Sequence, residues 1–165
     1  QGKFRDKGTP IDNVSNFDSS KERILYIDSI NNLKGKKLFF GTKENLIKVV
    51  DGELFDVAKK TTAATKISDT DEVLTVNIIT PEDTVCVYSD KNYFLRFAAE
   101  DVPEKKKAAL GVRAMKTKGT EEIVNYVIMQ PGVSRKVKTD KIDAVKIAKY
   151  AYSNWFNFSN YFWRL

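Results

Sequence analysis

The sequence predicts an all-β fold, a partial β-propeller of about two to three four-stranded blades over residues 1–133, followed by a C-terminal α-helix within residues 134–165. Three observations carry that expectation. Lys37-Leu-Phe-Phe-Gly-Thr-Lys-Glu-Asn-Leu-Ile-Lys-Val49 lands, 48 positions on and without a gap, on Val85-Cys-Val-Tyr-Ser-Asp-Lys-Asn-Tyr-Phe-Leu-Arg-Phe97. This sets Phe39 on Val87 and Ile47 on Leu95. Ile24–Ile30, Val73–Ile79 and Ile123–Met129 form a second set whose starts lie 49 and 50 residues apart. The repeated runs are rich in Val, Ile, Phe, Tyr and Thr, and turn residues bound most of them, as strands require. Self-similarity at this period marks blades, and a blade cannot bury both faces alone, so copies must stack.

Taken in order, residues 1–21 are polar and turn-rich, with Lys7-Gly8-Thr9-Pro10 and the stretch from Asn16 to Ser20. Strands are expected at about 23–30, 37–41, 46–50, 63–67, 72–79, 84–89, 93–98, 111–116 and 122–129. Gly41 to Asn45 and Ser89 to Asn92 sit between paired apolar runs and read as hairpin loops. Pro103 and Pro131-Gly132 mark breaks. In the tail, Ile142, Val145, Ala148, Tyr152 and Trp155 recur at helical spacing, and Asp140 with Asp143 suits a helix start. The expected helix packs across the exposed edge or end of the β-array, with dimerisation through the tail as an alternative cover.

Composition narrows function. The chain has 165 residues and opens on Gln1 within a polar stretch, which reads as a piece of something longer. No apolar run approaches the roughly 18 residues of a membrane helix. The single cysteine, Cys86, excludes an internal disulfide, fits a reducing, cytoplasmic compartment, and reads as a small packed side chain. The absence of histidine removes Ser-His and Cys-His nucleophile systems and His-containing zinc sites. No phosphate-cradling glycine loop occurs. A non-catalytic binding module, holding no cofactor or metal of its own, is the expectation.

Charge points to the partner. Residues 1–133 hold 21 Lys and Arg against 20 Asp and Glu, whereas 134–165 hold 7 against 2. Anion binding by the body therefore depends on local clusters. These are Lys34, Lys36 and Lys37; Lys59, Lys60 and Lys66; Lys105, Lys106 and Lys107; and Arg113, Lys116 and Lys118. The 57–66 stretch falls on 105–114 at the same offset, so the clusters lie at blade intervals, beside the links to following strands. A row of cations at that interval matches a phosphate backbone, which gives affinity without sequence. Solvated surface lysines and a protein-interaction scaffold are the plainer alternatives.

Gly111-Val-Arg-Ala-Met-Lys-Thr-Lys118 resembles the recurrent G-V-R-x-hydrophobic-K/R strand of the C-terminal domain of type IIA topoisomerase A subunits, those of gyrase and topoisomerase IV. Phe39 to Lys48 resembles that family's hairpin, and Ser89 to Arg96 its second copy. The resemblance covers roughly residues 1–130. It implies a β-pinwheel that binds and bends duplex DNA in a bacterial, ATP-hydrolysing, Mg²⁺-dependent isomerase. The partners implied are the rest of the A subunit, together with its ATPase subunit. The catalytic tyrosine of that family lies in another domain. Gln1 to Gly8 stands where the gyrase A-box sits but lacks its Gly-Gly pair, which favours a parent like topoisomerase IV.

Arg135 to Tyr150 resembles the K-T-D-x-x-D-A segment of insertion-sequence transposases with a DEDD nuclease domain. That resemblance implies Mg²⁺ ligation by Asp140 and Asp143, but the family's other two acids have no counterpart, and two carboxylates do not make a two-metal site. The helix-start reading is preferred, and residues 134–165 read as foreign to the β body, a fusion with a transposase fragment.

Overall fold

The computed structural model describes residues 2–59 and 61–131. Seven strands follow one another: β1 (Lys37–Thr42), β2 (Leu46–Asp51), β3 (Val73–Ile79), β4 (Thr84–Ser89), β5 (Phe94–Ala98), β6 (Val112–Arg113) and β7 (Ile123–Met129). They form two antiparallel sheets, one ordered β3-β1-β2-β6 and the other β5-β4-β7. The two blades are interleaved. β6 follows the second hairpin in the chain yet closes the first sheet, opposite Leu46 and Ile47. The sheets are all-β and propeller-like, as the periodicity predicts. The described residues hold one four-stranded and one three-stranded sheet. The expected C-terminal helix lies outside them.

Registers show that the hairpins repeat at 47 residues, not 48. Lys37 pairs with Asp51 and Thr84 with Ala98. Bulges fall between Gly41 and Thr42 and between Tyr88 and Ser89. The turns pass through left-handed Asn45 and Asn92, with φ of 72° and 63°. Phe39 is therefore equivalent to Cys86 and Phe40 to Val87. A slip of one residue carries every side chain to the opposite face. The expected pairs Phe39/Val87 and Ile47/Leu95 do not occupy equivalent places; they lie on the facing surfaces of neighbouring sheets. The β3-to-β7 interval is 50, so the one-residue and three-residue differences are taken up in the links.

Between the sheets lies the main core: Phe39, Ile47 and Val49 from one side, with Val85, Val87, Ile123 and Tyr126 from the other. The Phe39 and Tyr126 rings meet edge to face at 5.6 Å. Tyr126 lies so close to β1 that a Cβ at Gly41 would fall 2.5 Å from its ring. Its hydroxyl donates to the Thr42 carbonyl at 2.8 Å. On the far face of the first sheet, Leu38, Phe40, Val50 and Leu33 form a second cluster, covered by Tyr26, Ile30 and Phe55. Cys86 is buried, as its packed reading expects. Burial pushes its thiol up to about 11, although the nearby Arg96 charge opposes this.

Two expected strands do not form, for one reason. Residues 23–30 are the repeat counterpart of β3 and β7, and 63–67 of β6. Strands of both kinds join a hairpin lying earlier in the chain; β1–β2 precedes 63–67, but its two edges are taken by β3 and β6. Among the described residues no hairpin precedes 23–30, and residues 2–22 hold a 3-10 turn at Ile11–Asn13 and short hydrogen-bonded turns but no strand. A strand without a partner leaves its backbone groups to water. Residues 23–30 instead lead into a helical turn, Ile30–Leu33, which Ser29 caps by accepting from the Asn32 amide. Ile27 is left 73% exposed. The 111–116 strand shortens to Val112–Arg113 for a related reason. Beyond Arg113 the chain passes the end of β2 and is held by the turn.

Candidate nucleic-acid interface

Sheet register divides the predicted cations between two ends of the first blade. β2 separates them by about 17 Å at strand rise. At the hairpin end, Asn45 acts as a clamp. Its carbonyl accepts from the Ala114 amide at 3.0 Å. Its side-chain amide donates to the Met115 carbonyl at 2.7 Å and accepts from the Met115 amide at 3.2 Å. The chain leaving β6 is thus fixed by both backbone and side chain. Arg113, Lys116 and Lys118 ride on this clamped segment and line one open groove with Leu95, Met115 and Thr117. All three cations are exposed. Among the described residues none of them forms an ion pair.

The other end is more neutralised. Lys34 pairs with Asp56 at 3.1 Å. Lys37 pairs with Glu104, whose hydrogen bond and charge hold its ammonium above the ordinary lysine range. Lys36 donates to the Asn32 side chain at 2.7 Å. Lys105 lies beside them, its amide donating to the Val49 carbonyl at 2.8 Å. Lys107 is half-buried, its ammonium 5.2 Å from the centre of the Phe55 ring. Lys59, Lys66, Lys105 and Lys106 are exposed, and Lys60 lies outside the described residues. The clusters therefore do not form the single row expected. The structure brings Arg113, Lys116 and Lys118 together and sets them apart from Lys34, Lys36, Lys37 and Lys105.

Two lysines that were not predicted as site residues organise this surface. Lys48 is buried, and its ammonium donates to the carbonyls of Lys106, Lys107 and Ala109 at 3.3, 2.8 and 2.8 Å. Burial holds its pKa below the ordinary lysine value. Lys43 bridges the blades to Glu122 at 3.0 Å and is held above the ordinary value by that hydrogen bond and charge. Sequence pattern marks Lys48 only weakly: it interrupts the apolar run Leu46–Val50, where a charge must find buried acceptors.

Among the described residues, no group of three or more Cys, Asp and Glu side chains could hold a metal ion. No described helix is long and apolar enough to cross a membrane. Asp140 and Asp143 lie outside the described residues.

Comparison with known proteins gives a consistent picture. Residues 36–80 and 83–125 match the family model of the DNA gyrase C-terminal domain, a β-propeller. Over 151 residues the chain is 29% identical to the A subunit of DNA topoisomerase 4 from Streptococcus pneumoniae serotype 4, covering 82% of this chain and 18% of that one. Over 127 residues it is 28% identical to the A subunit of DNA gyrase from Chlamydia muridarum, covering 75% and 15%. The chain thus spans less than a fifth of the length of these relatives. The C-terminal domain of DNA topoisomerase IV shares its fold with a TM-score of 0.66 at 19% identity, covering 74% of this chain and 39% of that one. The DNA gyrase A C-terminal domain does so at 0.60 and 24%, covering 74% and 41%.

Proposed function

Because this chain belongs to the DNA gyrase C-terminal domain family, we propose that it binds and bends duplex DNA without reading sequence, on behalf of a type IIA topoisomerase A subunit. The observation that carries this reading is the groove of Arg113, Lys116 and Lys118, three exposed cations on one clamped segment with no acidic partner among the described residues. Unpaired cations held at fixed spacing lose little on meeting phosphates, whereas Lys34 and Lys37 must first give up their carboxylates. Arginine adds a planar fork suited to phosphate oxygens. Short apolar and polar side chains between the charges offer no base-reading array, so the contact is one of backbone affinity.

In this reading the parent enzyme supplies ATP hydrolysis, Mg²⁺ and the DNA-cleaving tyrosine from other domains or subunits, and works in the bacterial cytoplasm. This chain contributes the surface against which the DNA segment is held. The test is fluorescence anisotropy with several duplexes of one length and unrelated sequence. Affinities should agree within about twofold and fall log-linearly with salt. Strong preference for one sequence, or binding indifferent to salt, would refute the reading.

A further inference from the structure

The three cations of the groove are carried by a segment that crosses from one sheet to the other. Arg113 stands in β6, paired with Leu46 of the first sheet. Lys118 opens the turn that leads into β7 of the second. Asn45 fixes the first-sheet end of this segment at Ala114 and Met115. Glu121 fixes the other end. It is only 8% exposed, and both of its oxygens accept hydrogen bonds. Oε1 accepts from the hydroxyl of Ser89, a fully buried residue at the end of β4, the middle strand of the second sheet. Oε2 accepts from the Lys118 amide at 3.0 Å. The Glu121 amide in turn donates to the Lys118 carbonyl at 3.2 Å, closing the turn over Gly119, whose φ is 56°. One buried carboxylate thus ties the residue that bears an exposed ammonium to β4.

The reach of this side chain matters. Asp71 stands at the matching place, 50 residues earlier and two before β3, in a turn closed by the same bond, its amide donating to the Ser68 carbonyl at 3.2 Å. Its carboxylate is one methylene shorter, and Oδ1 accepts instead from the amides of Glu44 and Glu72, each at 2.8 Å. Charge alone gives no reason for an acid under Lys118, since it weakens the attraction of the nearby cations for phosphate. Position does. An ammonium on an anchored backbone loses less freedom when a phosphate fixes it. Resting on the DNA reading above, we propose that Glu121 is a positioning residue of the phosphate contact. It anchors Lys118 to β4 through Ser89, so that the spacing from Arg113 to Lys118 follows from the packing of the two sheets.

The test is duplex binding and its salt dependence for Glu121→Asp and Glu121→Gln in the full chain. Glu121→Asp keeps the charge and loses the reach, and the turn at Asp71 shows that this fold accommodates the shorter acid. Glu121→Gln removes the charge and keeps the reach, its carbonyl serving the Lys118 amide and its amide group the Ser89 hydroxyl. Glu121→Asp should weaken binding several-fold and make the slope of log affinity against log salt shallower, by up to about 0.9 for the one phosphate contact. Glu121→Gln should bind at least as tightly as the wild type. In a Lys118→Gln background Glu121→Asp should have little further effect, whereas a general loosening of the fold would weaken binding in both backgrounds. Hydrogen exchange of the wild type needs no variant: the Lys118 amide should be protected in the free protein. Three results would overturn the proposal alone: Glu121→Asp binding like the wild type, its effect persisting undiminished without the Lys118 ammonium, or a freely exchanging Lys118 amide. A wild type that binds no duplex would overturn the DNA reading and this proposal together.

Discussion

At the residue scale, several side chains are fixed by what surrounds them more than by their own preferences. Gly41 has no room for a methyl group, because Tyr126 lies against β1. Gly41→Ala should therefore destabilise the fold by about 1–3 kcal/mol through overpacking, seen as a lower thermal midpoint. Tyr126→Phe should cost roughly 0.5–1.5 kcal/mol, since the Thr42 carbonyl loses one of its two donors and keeps the Asn45 amide. Cys86 offers a chemical check. Its thiol, pushed up to about 11, is protonated at pH 8, and the thiolate is the reactive form. Native protein should resist thiol reagents at pH 8 and react promptly once unfolded. Prompt reaction of the native chain would contradict the burial described.

At the scale of elements, the cation groove depends on the hairpin turn beneath it. Arg113, Lys116 and Lys118 carry the charge, but Asn45 fixes the segment that bears them. Asn45→Gly keeps the left-handed turn and the backbone bond to Ala114 and deletes the two side-chain bonds to Met115. It should weaken DNA binding several-fold with no change in net charge, and speed amide exchange over residues 112–116. Unchanged binding would mean that the groove needs no such support. Strand existence was legible in the sequence wherever both partners are present: β1, β2, β4 and β5 fall close to the expected ranges. The misses at 23–30 and 63–67 share a physical origin. Their residues have strand composition, but strand formation is a property of pairs, and composition cannot say whether a partner edge is available.

At the scale of the whole molecule, the repeat was legible while its phase was not. Buried runs such as Leu38–Phe40 and Val85–Val87 carry apolar side chains on both faces. Alignments at 47 and 48 residues therefore look equally good, and only register and the left-handed Asn45 and Asn92 decide between them. The candidate site was legible as a set of lysines and arginines. Their division between the two ends of β2 was not, because it follows from β6 crossing back to the first sheet. Nor could charge counts show that Lys34 and Lys37 are paired while Arg113, Lys116 and Lys118 have no acidic partner among the described residues.

The central claim is that Arg113, Lys116 and Lys118 form the DNA contact. It is tested by the salt dependence of duplex binding for two triple variants, Arg113→Gln/Lys116→Gln/Lys118→Gln and Lys34→Gln/Lys36→Gln/Lys37→Gln. Both remove three formal charges; they differ in position and in that Lys34 and Lys37 are paired with Asp56 and Glu104. The first should weaken binding alike for all sequences and make the slope of log affinity against log salt shallower by about 0.9 for each phosphate the variant no longer neutralises. The second should change the slope much less. Equal effects from the two variants, or a larger effect from the second, would contradict the account.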